Sequence, residues 1–224
     1  LKKAKIHTAL DLSRADTSWI KNTFGIVGVR TVLELRGERC YELEQNPPTQ
    51  KSIMVSRMFG EPIETIDHLK EAVTTYAARA GERLREHNLT ASAMSVYVTT
   101  SRFIKNKYFN SHTTEFPVST NDTTELIKAA VSSIEKIYRK GYQFKKAGIV
   151  LFGLVPENKM QLALFDIAQR QKAARLMQAI DKINNKVDTP IRWAIEGVNQ
   201  PWQAKFQRRS KKFTTSWNEL PEVA

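Results

Sequence analysis

From residue 51 to residue 155 the apolar positions switch repeatedly between two periods. K-S-I-M-V-S-R-M-F, Lys51 to Phe59, reads as a strand. Ile66, Leu69, Ala72, Val73, Tyr76, Ala77, Ala80 and Leu84 then recur at helical spacing. Ala93 to Thr99 alternates Met94, Val96 and Val98 with Ser95, Tyr97 and Thr99, a half-buried strand. A second round follows the basic loop Arg102 to Lys107. It has a short strand around Thr113 to Val118, a helix carrying Leu126, Ile127, Ala130, Val131, Ile134 and Ile137, and an apolar strand, Ala147 to Val155. Strand, helix, strand, strand, helix, strand predicts an α+β fold, a ferredoxin-like four-stranded sheet with two helices on one face.

The flanks are patterned differently. Residues 1–46 carry short helical signals at Thr8-Ala-Leu-Asp-Leu, Asp16-Thr-Ser-Trp-Ile and Val29 to Leu35. Between the last two, F-G-I-V-G-V-R (Phe24 to Arg30) suits a tight helix-to-helix turn. Such a turn either offers backbone N–H groups to a phosphate or is an ordinary connection. Asn46-Pro-Pro-Thr-Gln excludes a continuing helix and predicts a boundary near Pro47. After Pro156 comes M-Q-L-A-L-F-D-I-A-Q-R-Q, Met160 to Gln171, whose apolar part is too short for a core element and reads as a plug for another protein's pocket. Ala173 to Ile183 predicts an amphipathic helix, and Ile191-Arg-Trp-Ala-Ile a further short strand. Pro201 to Trp217 interleaves Trp202, Phe206, Phe213 and Trp217 with basic residues. That composition suits backbone attraction plus stacking, or a solvated tail packing its own aromatics.

Charge narrows the partners. The 224 residues hold 35 Lys and Arg against 23 Asp and Glu, a formal net charge of +12, with the excess mostly after Asn46. Such a surface attracts polyanions, nucleic acid first and an acidic membrane second. No apolar run approaches the ~20 residues that span a bilayer. L-K-K-A-K lacks the apolar segment of a signal peptide, and the lone Cys40 cannot form an internal disulfide, so a cytoplasmic location is expected. The chain opens without Met, inside an apparent element, as a fragment of a longer protein would.

Two helices on one sheet face leave the other face uncovered. Alternation places Ser52, Met54, Ser56, Ser95, Tyr97, Thr99 and Thr113 there. Hydroxyls contact phosphate and sugar oxygens, and Lys51, Arg102, Lys105, Lys107, Lys145 and Lys146 flank them with charge. An ordinary solvated face is the competing reading. Arg57 breaks the pattern, because alternation puts it beside Ile53, Val55 and Phe59; a bulge or a shifted phase would re-aim it.

Catalytic chemistry is missing. No two acidic residues adjoin, and neither G-x-x-x-x-G-K-[ST] nor H-E-x-x-H occurs. His7, His68, His87 and His112 are scattered through unremarkable helical or loop sequence.

Several runs carry a resemblance. L-R-G-E (Leu35 to Glu38), S-R-M-F-G-E (Ser56 to Glu61), Y-A-A-R-A-G-E-R-L (Tyr76 to Leu84) and A-G-I-V-L (Ala147 to Leu151) resemble the C-terminal part of a Y-family translesion DNA polymerase. R-L-M-Q-A-I-D-K-I-N (Arg175 to Asn184) and F-T-T-S-W-N-E-L (Phe213 to Leu220) look like the UmuC-type C-terminal extension. That family usually shows S-P-x-Y-T-T near its end, where this chain has Ser210-Lys-Lys-Phe-Thr-Thr.

The resemblance implies four regions: a partial, helix-hairpin-helix-like thumb over 1–46, a little finger over 47–156, a clamp-binding linker over 157–166 and the extension over 167–224. In such a protein the little finger lays its sheet into the DNA major groove and holds the backbone. The implied DNA contacts are Lys51, Ser52, Ser56, Arg57, Thr99, Arg102, Lys105, Lys107, Thr113, Lys145 and Lys146. For the sliding clamp, the Gln161 amide would orient the peptide while Leu162, Leu164 and Phe165 enter an apolar pocket. A UmuD-like partner and the recombinase filament are implied as further partners, with no membrane. Mg²⁺ would serve the full-length polymerase through palm carboxylates whose motifs are not in this sequence, so the chain is expected to be non-catalytic and to need no cofactor. The rival expectation is a freestanding ferredoxin-like module that binds protein or RNA.

Overall fold

Polar caps set the first helices. Thr8 Oγ1 accepts the Asp11 N–H at 3.1 Å and the Asp11 carboxylate accepts the Thr8 N–H at 3.0 Å, a reciprocal cap that starts α1, Ala9–Ser13. Asp16 accepts the Trp19 N–H at 2.8 Å and starts α2, Thr17–Leu35. At Gly25 the backbone leaves the helix, with φ 70° and ψ −167°. Nothing would meet a Cβ there, so glycine serves the dihedral and not a close approach. The expected turn in F-G-I-V-G-V-R is therefore a break at Gly25 inside one helical run. Arg36 closes the unit by donating to the carbonyls of Ser13 at 2.6 Å and Ala15 at 2.7 Å.

The computed structural model describes residues 1–43, 50–159, 167–187, 189–204 and 210–220. They fall into two units, Leu1–Thr49 and Gln50–Ala224. The Asn46-Pro47-Pro48 linker lies outside the described residues.

In the second unit the elements run β1 Ser52–Ile63, α3 Ile66–Glu86, β2 Leu89–Thr100, β3 Phe109–Thr120, α4 Thr123–Ile137, β4 Phe144–Pro156 and α5 Ile167–Asn184. The sheet order is β1-β4-β2-β3 with every neighbouring pair antiparallel. Each crossover helix skips one strand position, so β4 fills the gap between β1 and β2. β3 is longer than expected because its pairing with β2 extends from Phe109 opposite Thr99 to Thr120 opposite Ala91.

The core lies between sheet and helices. Leu69, Val73, Tyr76, Ala80 and Leu84 from α3, and Leu126, Ala130, Ile134 and Ile137 from α4, meet Ile53, Val55, Met94, Val96, Ile149 and Leu151 from the strands. Thr65 caps α3 and Asp122 caps α4.

The segment after β4 is fastened to this layer. Arg85 of α3 makes a two-pronged pair with Asp181 of α5, at 2.6 and 2.8 Å. Trp202 is buried, donates to Glu71 at 3.2 Å, and stands edge-on to Phe59 and Tyr76. Its carbonyl accepts the Gly60 N–H of β1 at 3.0 Å, covering part of that edge strand. The strand expected at Ile191 to Ile195 is not formed. The chain turns there through a 3₁₀ helix, Ala194–Glu196, because the buried Glu196 carboxylate accepts the Trp193 N–H at 3.0 Å and the Thr75 hydroxyl at 3.1 Å. Among the described residues no helix is long and apolar enough to cross a membrane.

Candidate nucleic-acid interface

Register fixes what the uncovered face carries. Read from β1 across β4 and β2 to β3, one row is Ser52, Phe152, Ala93 and Glu115, and the next is Met54, Val150, Ser95 and Thr113. A third is Ser56, Gly148, Tyr97 and Ser111, and the last is Met58, Lys146, Thr99 and Phe109. From Ser52 to Met58 the face is ~20 Å long at ~3.4 Å per residue. Ser52, Ser56, Thr99 and Thr113 therefore share one face, with Met54, Ser95 and Tyr97 among them.

Local packing explains the centre. A Cβ on Gly148 would come within 2.6 Å of Ser56 Cβ and of the Tyr97 ring, so Tyr97 lies over the bare backbone of the inner strand. The Phe109 ring stands 6.2 Å from that of Tyr97, and the Lys146 ammonium sits 5.8 Å from the Tyr97 ring centre.

The predicted cations divide. Lys146 is on the face itself, opposite Met58 and Thr99. Arg102, Lys105 and Lys107 are exposed in the β2–β3 turn, beyond the same end, where Arg102 lies over the exposed Phe103 ring at 4.8 Å. Lys51 is exposed at the far end, next to Ser52.

Two candidates are placed elsewhere. Arg57 pairs with Ala147, on the helix side of the sheet, and donates to its neighbour's carbonyl, Ser56, at 2.9 Å. Lys145 donates to the Phe59 carbonyl at 2.8 Å, where the register between Met58 and Ile63 shifts, and so satisfies backbone acceptors left by the irregularity. The clamp peptide Gln161, Leu162, Leu164 and Phe165 lies outside the described residues.

Sequence reasoning placed Met54 and Tyr97 on the face and missed its other apolar members. Phe109 is 67% exposed, and Met58, Val150 and Phe152 join it with Ser111 and the acidic Glu115. A signal was present in F-N-S-H-T-T-E, which alternates from Phe109 onward. In A-G-I-V-L-F both faces of β4 are apolar, so periodicity could not separate Val150 from Ile149.

The sequence matches the impB/mucB/samB family C-terminal domain over residues 50–164, and a domain of unknown function, DUF4113, over residues 174–223. Protein MucB of Salmonella typhimurium is 38% identical over 219 residues, covering 96% of this chain and 52% of that protein. Protein ImpB of the same species is 36% identical over 219 residues, with the same coverage of each. Protein UmuC of Salmonella typhimurium strain LT2 is 39% identical over 222 residues, 97% of this chain and 53% of that one. The chain spans about half the length of the curated relatives it matches.

Proposed function

The chain belongs to the impB/mucB/samB family, and on that premise we propose that it is the DNA-gripping, clamp-docking C-terminal part of an error-prone translesion DNA polymerase. The observation that carries the DNA half is the make-up of the open face. It joins hydroxyls, exposed Met54 and Met58, and Lys146, with more cations at one end. Its four rows contain no Arg, Asn or Gln, and of the charged side chains that read base edges they hold one Lys, Lys146, and one Glu, Glu115. Such a face holds phosphates and sugars without reading sequence, and flexible methionines adapt to a distorted template.

Docking rests on Gln161 to Phe165, which follow the last strand of the sheet in sequence. Burying Leu or Phe is worth ~1.5–3 kcal/mol each, less the cost of ordering the peptide. Micromolar affinity, about −8 kcal/mol, is expected. Tethering by DNA and clamp together raises the effective concentration.

Among the described residues no three His, Cys, Asp or Glu side chains gather as a metal site. Here the chain binds and orients, and nucleotide transfer belongs to palm carboxylates outside this sequence.

The test is salt-dependent binding to primer-template DNA, beside calorimetry with a bacterial sliding clamp. A log-log slope of about −0.9 per phosphate contact is expected, shallower by ~0.9 in Lys146→Ala. Micromolar clamp binding should vanish when Leu164 and Phe165 become Ala. The Tyr97–Phe109 pair on an open sheet favours a second reading, stacking of single-stranded RNA bases. A shallow slope on duplex with tighter single-strand binding would replace the first reading by that one.

A further inference from the structure

Helix α5 has aliphatic residues on two sides, and the fold uses one. Its inner side is Ala173, Met177, Ile180 and Asp181, with Met177 buried and Asp181 committed to Arg85. On another side Leu176 and Ile183, seven residues apart, stay 54% and 44% exposed, and Val187 in the following turn is 44% exposed. A surface helix ordinarily turns polar residues outward, so the half-bare Leu176 and Ile183 stand out, whereas Val187 lines the cavity between α5 and α3.

Cations border that pair. Lys172, Arg175 and Lys182 of the helix and Lys186 in the turn after it are exposed, and helical geometry sets Lys172 and Arg175 on the outward side. Asp181 is the one carboxylate in the α5 sequence and it faces inward; beyond the helix, Glu82, Glu86 and Glu157 share a cavity with Lys182. None of the four is ion-paired among the described residues. Leu176 and Ile183 have the seven-residue repeat of a helix-pairing seam, with Arg175 and Lys182 each one residue before a seam position, where flanking charges select a partner.

We propose that this ridge docks a short acidic amphipathic helix of a partner protein, its aliphatic seam on Leu176 and Ile183 and its carboxylates against Arg175 and Lys182. Three other occupants fit less well. A second copy would set the same cations against one another. Duplex DNA would pair with the charges and leave the aliphatics in water. An anionic membrane would need the deeper apolar side of α5, which faces α3 and α4. The ridge is on the helical side of the sheet, so an occupant leaves the open face free, and the proposal stands whether or not that face binds DNA. A seam of two repeats is short, and the binding is weak and salt-sensitive.

The test uses the whole chain and a synthetic acidic helix, a peptide of about three heptads with Leu at the seam and Glu at the flanking positions. Fluorescence anisotropy would be run beside a DNA duplex and phosphatidylglycerol-containing vesicles. R175E/K182E and L176S/I183S change only exposed positions, and unchanged melting checks that both fold. Peptide binding in the tens of micromolar is expected, about tenfold weaker in each variant, with duplex affinity within about twofold in L176S/I183S. The proposal is overturned if the peptide does not bind, if binding survives loss of the aliphatics, or if the variants lower vesicle or duplex binding and leave the peptide unaffected.

Discussion

The two faces of the sheet carry the same residue type under opposite conditions. Met94 on β2 is fully buried under the helices, whereas Met54 on β1 is 53% exposed on the open side. Beneath α3 and α4 each position is set by what it must fill, so Ile53, Val96, Ile149 and Leu151 interlock with two helices. On the open face packing within this chain sets little beyond the Gly148–Tyr97 centre, yet methionine and phenylalanine stand there bare beside hydroxyls. Composition that packing does not demand is what function can use.

Matched truncations would break or sharpen that contrast. Met94→Ala should cost about 2–5 kcal/mol in urea unfolding, the range for a large-to-small change in a core. Met54→Ala should stay within about 0.5 kcal/mol while weakening DNA binding. Equal stability losses at the two sites would mean the open face is covered in solution.

Gly148 tests the centre of the open face. Adding a methyl there drives into Ser56 and the Tyr97 ring, so Gly148→Ala should cost about 1–3 kcal/mol. Combining it with Tyr97→Ala should recover part of the loss, because the pair is coupled through contact. Strict additivity in that double-mutant cycle would show that the ring does not rest on the glycine.

Helix and strand positions were legible because one buried face imposes a period. The apolar positions read for α3, α4 and β2 pack in or against the core, and the uncovered hydroxyls follow from the same alternation. Three things were not legible. Strand β1 loses register after Met58, and alternation cannot foresee that or the donation of Lys145 to the Phe59 carbonyl. The turn at Ala194–Glu196 depends on a carboxylate held by Thr75, more than a hundred residues away. The apolar members of the open face were hidden because Val150 and Phe152 belong to a strand that is apolar on both sides.

Tyr76 and Tyr97 extend the comparison to a hydroxyl. Tyr76 points from α3 into the core against Trp202, and its hydroxyl has no hydrogen-bond partner among the described residues. Burial pushes its phenol well above the usual tyrosine range, and the nearby Arg57 charge only partly opposes this. The sign follows from linkage. An unfolded tyrosine loses its proton near pH ~10 while Tyr76 keeps it, so this residue's contribution is complete below that pH and declines as pH rises above it. Tyr76→Phe removes an unpaired group and should be neutral or stabilising at pH 7, by up to ~1 kcal/mol. The variant should also lose less stability than the parent between neutral and alkaline pH. Tyr97→Phe, at a half-exposed position on the open face, should change stability at pH 7 by no more than ~0.5 kcal/mol. Urea unfolding of both variants across this pH range decides it, since a clear loss in Tyr76→Phe at pH 7 would mean that the buried hydroxyl has a partner after all.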